Sequence, residues 1–366
     1  MKRRIFIKNS SALGASLFTI PFLSRTFSEK PKLNVLVLGG TNFVGPAVVK
    51  GLIEKGHQVT LFNRGITNPH LFPRIRKIKG DRTLGPSGYE NLLDLQSTWD
   101  AVIDVWPQNP RMVEEAIAVL KHKTDHYLFV SSIAVYADYK SIGINENAPI
   151  RTSQGYEEGN YNANKVLCER VVEKYFPDSF TTLRPGAIIG ERDPGPFSSD
   201  LINRMINRQE ILAPDANDPV QFIDVKDLGQ YITLCLENRV VGYFNVIGPR
   251  KRLGYKDMLL KIRKSIKSDT KILWIDPDFL LNRMQLEPFI DIPFWIPLKT
   301  DPEPGFYQIS HMKAIQKGLQ FSDFGDTIQS AYNSFVNKRF IEEANPFGIS
   351  EEREDEIIAL WKEAGN

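Results

Sequence analysis

Residues 33–45 (LNVLVLGGTNFVG) join a short apolar run to a glycine-rich turn and to the start of a helical pattern. The run is typical of a strand buried on both faces, as the strands of parallel sheets are. The helical pattern then continues to about residue 55. Unpaired backbone N–H groups and the dipole of a helix N-terminus both favour an anion. The stretch therefore predicts a parallel sheet with a phosphate-binding turn after its first strand.

Strand and helix patterns continue to alternate up to about residue 186. Short apolar strands are predicted at residues 58–62, 76–79, 99–105 and 126–132, with a helix at 109–121. Strands that alternate with helices of about ten to fifteen residues are typical of parallel sheets with right-handed crossovers. We predict an α/β fold, with a Rossmann-type doubly wound parallel sheet over residues 31–186 and a smaller C-terminal substrate-binding subdomain.

The glycine turn departs from the common dinucleotide pattern of three glycines. Gly39 and Gly45 hold the first and last positions, but Asn42 stands between them. Asparagine tolerates the left-handed backbone conformation better than other residues that carry a side chain. We therefore expect Asn42 to take the place of the middle glycine while the turn still binds a dinucleotide.

The end of the second strand bears on which dinucleotide is bound. A carboxylate there binds the ribose hydroxyls of NAD, whereas an arginine can pair with the 2′-phosphate of NADP. The sequence has Asn63 and Arg64 at this point and no acid, so NADP is favoured over NAD. Stacking of Arg64 on adenine without a phosphate stays open. Asp81, which follows the third strand, is either close to the adenine or an ordinary turn residue.

A candidate catalytic set follows further along the chain. Ser131 and Ser132 end the fifth strand, at the edge where open α/β sheets bind ligands. Tyr161 and Lys165 are four residues apart in a helix predicted over 161–175, so they share one face. A nearby ammonium would lower the pKa of the phenol, and such a tyrosine acts as general acid or base towards a carbinol or carbonyl oxygen. A serine hydroxyl would hold that oxygen while a nicotinamide exchanges hydride with its carbon. The alternative is a solvated Tyr–Lys pair.

With these motifs the chain resembles the short-chain dehydrogenase/reductase superfamily, in particular its extended branch of NAD-dependent epimerases and dehydratases. The resemblance covers about residues 33–340 and includes residues 183–186 (LRPG) and 221–228 (QFIDVKDL). It implies catalysis by Ser132, Tyr161 and Lys165 on a hydroxyl-bearing small molecule, a sugar or sugar derivative. The candidate cofactor-binding residues are Gly39, Thr41, Asn42, Phe43, Val44, Gly45, Asn63, Arg64, Asp81, Ser131 and Lys165.

Asn42 and Arg64 mark an atypical subgroup of that branch, which is similar to the chloroplast stem-loop binding proteins. The alternative function is therefore an RNA- or ligand-binding protein of the same fold without turnover. Charge argues against RNA: five of the 46 Lys and Arg residues lie in residues 1–28, and the rest of the chain has three more acidic than basic side chains. Since nucleic-acid binding depends on phosphate neutralisation by basic residues, no nucleic-acid partner is expected.

The second half is predicted to form the substrate subdomain, residues 187–340, from which residues 219–247 return to the Rossmann sheet. A C-terminal helix is expected within residues 341–366. Residues 286–306 carry five prolines and four aromatic side chains. This segment either walls an apolar pocket or covers core, and we favour core.

Cysteine and histidine give little sign of special chemistry. Cys168 and Cys235 are predicted to be buried thiols, with one disulfide left open. His122 and His126 are read as surface residues rather than as zinc ligands, so no metal is expected. The residues leave the oligomeric state open, a homodimer included.

The first 30 residues are interpreted as an export signal and not as part of the fold. Residues 2–8 (KRRIFIK) precede an apolar run, 12–23, which is too short for an ordinary spanning helix of about 20 residues. This order resembles the twin-arginine signal, which directs folded proteins across the bacterial inner membrane. We expect the twin-arginine export machinery as a partner and a periplasmic location, with the signal either cut at an atypical site or kept as an inner-membrane tether.

Overall fold

A computed structural model describes residues 31–93, 95–105, 109–152, 160–337 and 347–365. Residues Lys32–Asn366 form one compact unit. The predicted twin-arginine signal lies outside the described residues and stays a prediction. Within the described part of the chain, no helix combines the length and apolar character needed to span a membrane.

The elements alternate between strand and helix through the first half of the chain and become less regular in the second half. The strands are β1 (Asn34–Leu38), β2 (Gln58–Asn63), β3 (Arg76–Lys79), β4 (Ala101–Asp104), β5 (Tyr127–Val130), β6 (Phe180–Pro185), β7 (Ile188–Ile189), β8 (Glu210–Pro214), β9 (Pro219–Asp224), β10 (Gly242–Val246), β11 (Gly248–Gly254) and β12 (Lys271–Ile275). The α-helices are α1 (Val44–Glu54), α2 (Glu90–Leu93), α3 (Pro110–Leu120), α4 (Tyr161–Tyr175), α5 (Pro196–Asn207), α6 (Val225–Glu237), α7 (Tyr255–Ser265), α8 (Met312–Gln316), α9 (Phe324–Val336) and α10 (Glu351–Glu363).

Seven parallel strands form the main sheet, in the order β10-β6-β5-β4-β1-β2-β3. The strand order reverses between β1 and β4, because the chain builds outwards from β1 first to one side and then to the other. The predicted doubly wound α/β fold is therefore confirmed. Ligands of such sheets bind beyond the carboxyl ends of the strands at this reversal, which is where the glycine turn lies.

Side chains of the buried strands alternate between two apolar layers. In β1, Val35 and Val37 join the layer that includes residues of α1 and α6, whereas Leu36 and Leu38 join the layer with residues of α3 and α4. Both layers are almost fully shielded from water, which explains why the strand sequence is apolar on nearly every position. The sheet thus holds its carboxyl edge rigidly in place between helices on both faces.

A second apolar core lies in the C-terminal half. It includes residues of the smaller sheets, β11-β9-β7 and β12-β8, together with Phe294 and Trp295. Trp295 is completely buried, and its indole Nε1 donates to Asp218 Oδ2 at 2.9 Å. The interpretation of residues 286–306 as core is therefore confirmed. The boundary predicted at residue 186 stays a prediction.

The segment predicted to return to the sheet, residues 219–247, divides between two places. Its last strand, β10, pairs with β6 at the edge of the main sheet, and α6 packs on α1. Its first strand, β9, instead pairs with β7 and β11 in the three-stranded sheet. The segment therefore links the two cores.

One histidine prediction is wrong. His122 is exposed, but His126 is only 8% exposed, because it precedes β5 and is covered by β6, where its Nε2 lies 2.7 Å from Thr181 Oγ1. Cys168 and Cys235 are buried free thiols, as predicted from the sequence, and they lie in different apolar layers. Among the described residues, no group of three or more His, Cys, Asp or Glu side chains could hold a metal ion.

Candidate active site

The turn between β1 and α1 is made by two consecutive glycines. Gly39 and Gly40 have φ of +113° and +97°, and Phe43 has φ of +36°. Asn42 is not among the residues with positive φ. The expectation that Asn42 takes the left-handed position is therefore wrong, because Gly40 already supplies the reversal. The adjacent pair Gly39-Gly40 is the signal in the sequence for this reversal.

Close backbone packing explains the last glycine of the turn. A Cβ built on Gly45 would lie 2.6 Å from Gly40 Cα, which no side chain tolerates. No side chain caps the N-terminus of α1, whose N-cap residue is Phe43. Of the first N–H groups of α1, that of Gly45 donates to the Asn42 carbonyl at 2.9 Å, and the others precede the first intrahelical bond and can face an anion. This arrangement fits a phosphate group, as the sequence predicted.

A cavity of about 400 Å³ lies over the turn. Its apolar wall includes Leu38, Phe62, Val105 and Met112. The predicted cofactor-binding residues that line it are Gly39, Thr41, Asn42, Phe43, Val44, Asn63, Arg64 and Asp81. The other three predicted residues, Gly45, Ser131 and Lys165, are not part of its lining.

Asn63 secures the turn from the neighbouring strand. Its Nδ2 donates to the Gly39 carbonyl at 2.9 Å, and its Oδ1 accepts from the Gly65 N–H at 3.0 Å. Asn68 adds a second tie, because its Nδ2 donates to the Thr41 carbonyl at 2.9 Å. These bonds hold the loop after β2 against the glycine turn.

Arg64 and Asp81 flank the mouth of the cavity. Arg64 is exposed, while the Asp81 carboxylate accepts from the Thr83 N–H at 3.0 Å and from the Thr83 hydroxyl at 2.7 Å. These bonds, aided by the charge of Arg64, lower the pKa of Asp81. Asp81 therefore caps a turn, as one of the two alternatives predicted, and also lines the cavity, while its closeness to the adenine stays a prediction.

Ser132, Tyr161 and Lys165 are brought together beyond the carboxyl end of β5. The Ser132 hydroxyl accepts from the Ala134 N–H at 3.1 Å and hydrogen bonds with the Tyr161 phenol. The Lys165 Nζ lies 5.7 Å from the centroid of the Tyr161 ring and donates to the Val130 carbonyl at 3.0 Å. The predicted helix 161–175 is confirmed at both ends.

The predicted fall in the pKa of Tyr161 is wrong for this structure. Desolvation of the phenol raises the pKa of Tyr161, and the hydrogen bond with Ser132 opposes this rise. The residue is still 53% exposed, so solvent limits the effect. The ammonium of Lys165 does not act on the phenol because it is directed to β5. Its own burial lowers the pKa of Lys165.

Sequence reasoning missed two charged residues beside this site. Arg82 lines the cavity and forms a bidentate ion pair with Asp104 through two hydrogen bonds. The Asp104 carboxylate is fully buried at the end of β4. The signal was a carboxylate at the end of an otherwise apolar strand. Ser131 differs from its neighbour Ser132, since its buried hydroxyl has no hydrogen-bond partner in the part of the chain that the structure describes.

A family comparison agrees with this geometry. The sequence profile of the family described as NAD dependent epimerase/dehydratase matches residues 35–248, more than half of the chain. The chain belongs to this family. The match begins within β1 and ends after β10, so it includes residues of every strand of the main sheet and every predicted site residue.

Individual relatives are distant. The chain is 24% identical over 241 residues to the chloroplast stem-loop binding protein of 41 kDa b from Arabidopsis thaliana, a match that covers 61% of this chain and 57% of that protein. A solved UDP-glucose 4-epimerase superposes with a TM-score of 0.64 at 17% identity, covering 85% of this chain and 100% of that one. UDP-glucuronic acid 4-epimerase from Bacillus cereus, solved in complex with NAD, superposes with a TM-score of 0.58 at 17% identity. This superposition covers 83% of this chain and 99% of that one. These structures share the fold.

Proposed function

We propose that the chain is an NAD(P)-dependent enzyme of the epimerase or dehydratase type that acts on a hydroxyl-bearing small molecule, a sugar or sugar derivative. Tyr161 is the general acid or base, Ser132 holds the reacting oxygen, and Lys165 lies beside them, where it contacts the nicotinamide half of the cofactor. The observation that carries this proposal is the clustering of the Tyr161 side chain, Ser132 and the buried Lys165 ammonium at the carboxyl edge of the sheet, with the Lys165 Nζ 5.7 Å from the centroid of the Tyr161 ring. A bound nicotinamide supplies hydride exchange at the carbon that bears the oxygen.

Protons move through Tyr161 in this proposal. Its raised pKa keeps the phenol protonated at neutral pH, so the resting side chain can donate a proton to a carbonyl oxygen. Ser132 contacts the phenol and so can contact the same substrate oxygen. About half of the tyrosine surface is exposed, which leaves a path for substrate to reach the phenol.

The dinucleotide is proposed to be NADP rather than NAD. Arg64 is exposed at the mouth of the cavity, and the end of β2 carries no acid that would repel a 2′-phosphate. The turn of Gly39, Gly40 and Gly45 would hold the pyrophosphate on the N-terminus of α1. Ser131 and Lys165 would contact the nicotinamide half, since Ser131 follows β5, the Lys165 Nζ bonds to the last carbonyl of β5, and both lie outside the cavity lining.

A periplasmic location is proposed from the twin-arginine pattern of residues 2–8. Free NAD(P) is scarce outside the cytoplasm, so a protein exported in the folded state would carry its cofactor along. Such a retained cofactor suits a reaction that regenerates it, as epimerisation and dehydration do. Nucleotide sugars are scarce there too, which favours a free sugar or glycoside as substrate.

A screen of sugars with matched tyrosine variants tests this proposal. Tyr161→Phe removes the phenol oxygen at the site, while Tyr175→Phe removes one at the far end of the same helix. We expect Tyr161→Phe to lose at least about 100-fold in turnover, the usual contribution of a general acid or base. Tyr175→Phe should keep the wild-type rate, and both variants should keep the bound dinucleotide.

The proposal would be contradicted if Tyr161→Phe turned over substrate as fast as the wild type, or if the wild type reacted with none of the sugars. The second candidate is RNA binding without turnover, which the chloroplast relative suggests by its name. It predicts that wild type and Tyr161→Phe bind a stem-loop RNA equally, with affinity that falls steeply as salt rises. Absence of such binding would remove that candidate.

A further inference from the structure

A group of buried charges lies between the cofactor cavity and the candidate catalytic lysine. Arg82 Nη1 and Nη2 donate to the two carboxylate oxygens of Asp104 at 2.7 and 2.9 Å. The Tyr127 hydroxyl donates to Asp104 Oδ2 at 2.8 Å. Arg82 is fixed in turn, since its Nε donates to the Tyr89 hydroxyl at 3.0 Å and its Nη2 to the Met112 carbonyl at 3.0 Å. The carboxylate therefore has a single, locked position.

That carboxylate faces the same side of the sheet as α4. Asp104 pairs in register with Phe129 on β5, and the side chains of Phe129 and Tyr127 both belong to the apolar layer that includes residues of α4. The Lys165 Nζ lies 5.1 Å from the centroid of the Phe129 ring and bonds to the next carbonyl, that of Val130. Asp104 is thus one strand away from the buried ammonium.

The other titratable groups near Lys165 favour its ammonium less than Asp104 does at pH 7. Glu169, whose effect is the smaller, is shared with Arg184 through two bonds of 2.9 and 2.7 Å, as Asp104 is shared with Arg82. Burial raises the pKa of the Cys168 thiol to about 12, and the pKa of Tyr161 is raised as well, so both are neutral at pH 7. Lys165 itself is only 4% exposed, and an unbalanced charge is costly at such a position.

We infer that Asp104, locked by Arg82 and Tyr127, is a positioning residue for Lys165: its carboxylate is the counter-charge that holds the ammonium at the end of β5. The inference rests on the proposed role of Lys165. The same carboxylate neutralises both Arg82 and Lys165. Arg82 also keeps the carboxylate from turning towards the cavity. Neither residue needs to touch the substrate for this.

The titration of Lys165 tests the inference without any substrate. The Nζ resonance of Lys165 in protein labelled with 15N-lysine is assigned with Lys165→Met and followed against pH. Asp104→Asn should lower the midpoint by about one pH unit or more, a tenfold change in proton affinity. Tyr127→Phe, which keeps the carboxylate, should leave the midpoint within a few tenths of a unit. A folded Asp104→Asn protein with an unchanged midpoint would overturn the inference.

A double variant covers the case in which Asp104→Asn does not fold. Arg82→Met with Asp104→Leu removes the whole ion pair, so that neither of its two charges is left buried without the other, which proteins commonly tolerate. The midpoint should still fall, because Asp104 favours the ammonium more strongly than Arg82 opposes it. An unchanged midpoint in the double variant would equally contradict a role for Asp104. Loss of turnover in Tyr161→Phe is a separate result, so the two proposals can fail independently.

Discussion

Arg64 is the residue on which the choice between NADP and NAD depends. We predict that Arg64→Gln loses about tenfold or more in affinity for NADP while affinity for NAD changes little, because a hydrogen bond to a charged group contributes about 1.5–3 kcal/mol. The matched control is Arg76→Gln, an exposed change at the opposite end of neighbouring strand β3. Isothermal titration with both dinucleotides measures this. Equal losses for NADP and NAD would favour stacking on adenine instead.

His126 has a fixed tautomer in the structure. The Thr181 hydroxyl donates its only hydrogen to the Val240 carbonyl, so the short contact to His126 must use an N–H on Nε2. Burial lowers the pKa of His126 to about 4 from an ordinary value near 6.5, with a smaller contribution from Arg239. The imidazole ring of His126 is therefore neutral in the folded protein at neutral pH.

This burial predicts a pH dependence of stability. Between pH 6.5 and about 4 the unfolded chain binds a proton that the folded chain does not, so the free energy of unfolding falls as pH falls through this window. The contribution of His126 should reach about 3 kcal/mol near pH 4. Urea unfolding of wild type and His126→Gln at pH 7 and pH 4.5 measures it. The variant should lose less stability on acidification, and equal losses would contradict the burial argument.

Residue types alone revealed part of the site. Ser132, Tyr161 and Lys165 follow a spacing that a helix and a strand end impose, so local rules were enough to bring them together. Asp104 and Arg82 were missed because their pairing joins the end of β4 to the turn after β3, and these elements lie on opposite sides of β1 and β2 in the sheet. Only the strand order makes that contact visible.

At the scale of elements, α10 is anchored by a buried carboxylate. Glu354 is 1% exposed, accepts from the Leu212 N–H at 2.8 Å and pairs with Arg204 and with Arg208, whose Nε lies 3.2 Å away. These contacts join the C-terminal helix to β8 and to the end of α5. The helix is therefore part of the second core and not only a surface addition.

Removal of this charge should release α10. We predict that Glu354→Gln lowers the free energy of unfolding by about 3 kcal/mol, because the two arginines lose their buried partner. Glu356→Gln, on an exposed pair with Arg353 in the same helix, should cost no more than about 1 kcal/mol. Chemical denaturation of both variants is the measurement. Similar losses in the two would show that the buried cluster does not anchor the helix.

Elements with strong local signals were the ones that the sequence predicted well. The helix at 161–175 and the strand at 76–79 have the predicted bounds. Strand β8 was missed, because residues 210–214 become a strand only by pairing with β12, about sixty residues further along the chain. Local patterns cannot report such a pairing.

At the scale of the whole molecule, one sheet edge carries both halves of the proposed site. The glycine turn and its cavity follow β1, and the Ser132, Tyr161 and Lys165 group follows β5. The buried pair of Arg82 and Asp104 lies between them. The parallel sheet fixes these distances, so a dinucleotide held by the turn would extend towards the tyrosine.

Export in the folded state requires the glycine turn to hold a nicotinamide dinucleotide firmly enough to travel with the chain. Native mass spectrometry of protein purified from the periplasm, without added nucleotide, tests this most directly. We predict one NADP per chain in wild type and in Tyr161→Phe, and none in Gly45→Ala, in which the new Cβ meets the Gly40 backbone. Wild-type protein that is folded but free of any nicotinamide dinucleotide would contradict the account.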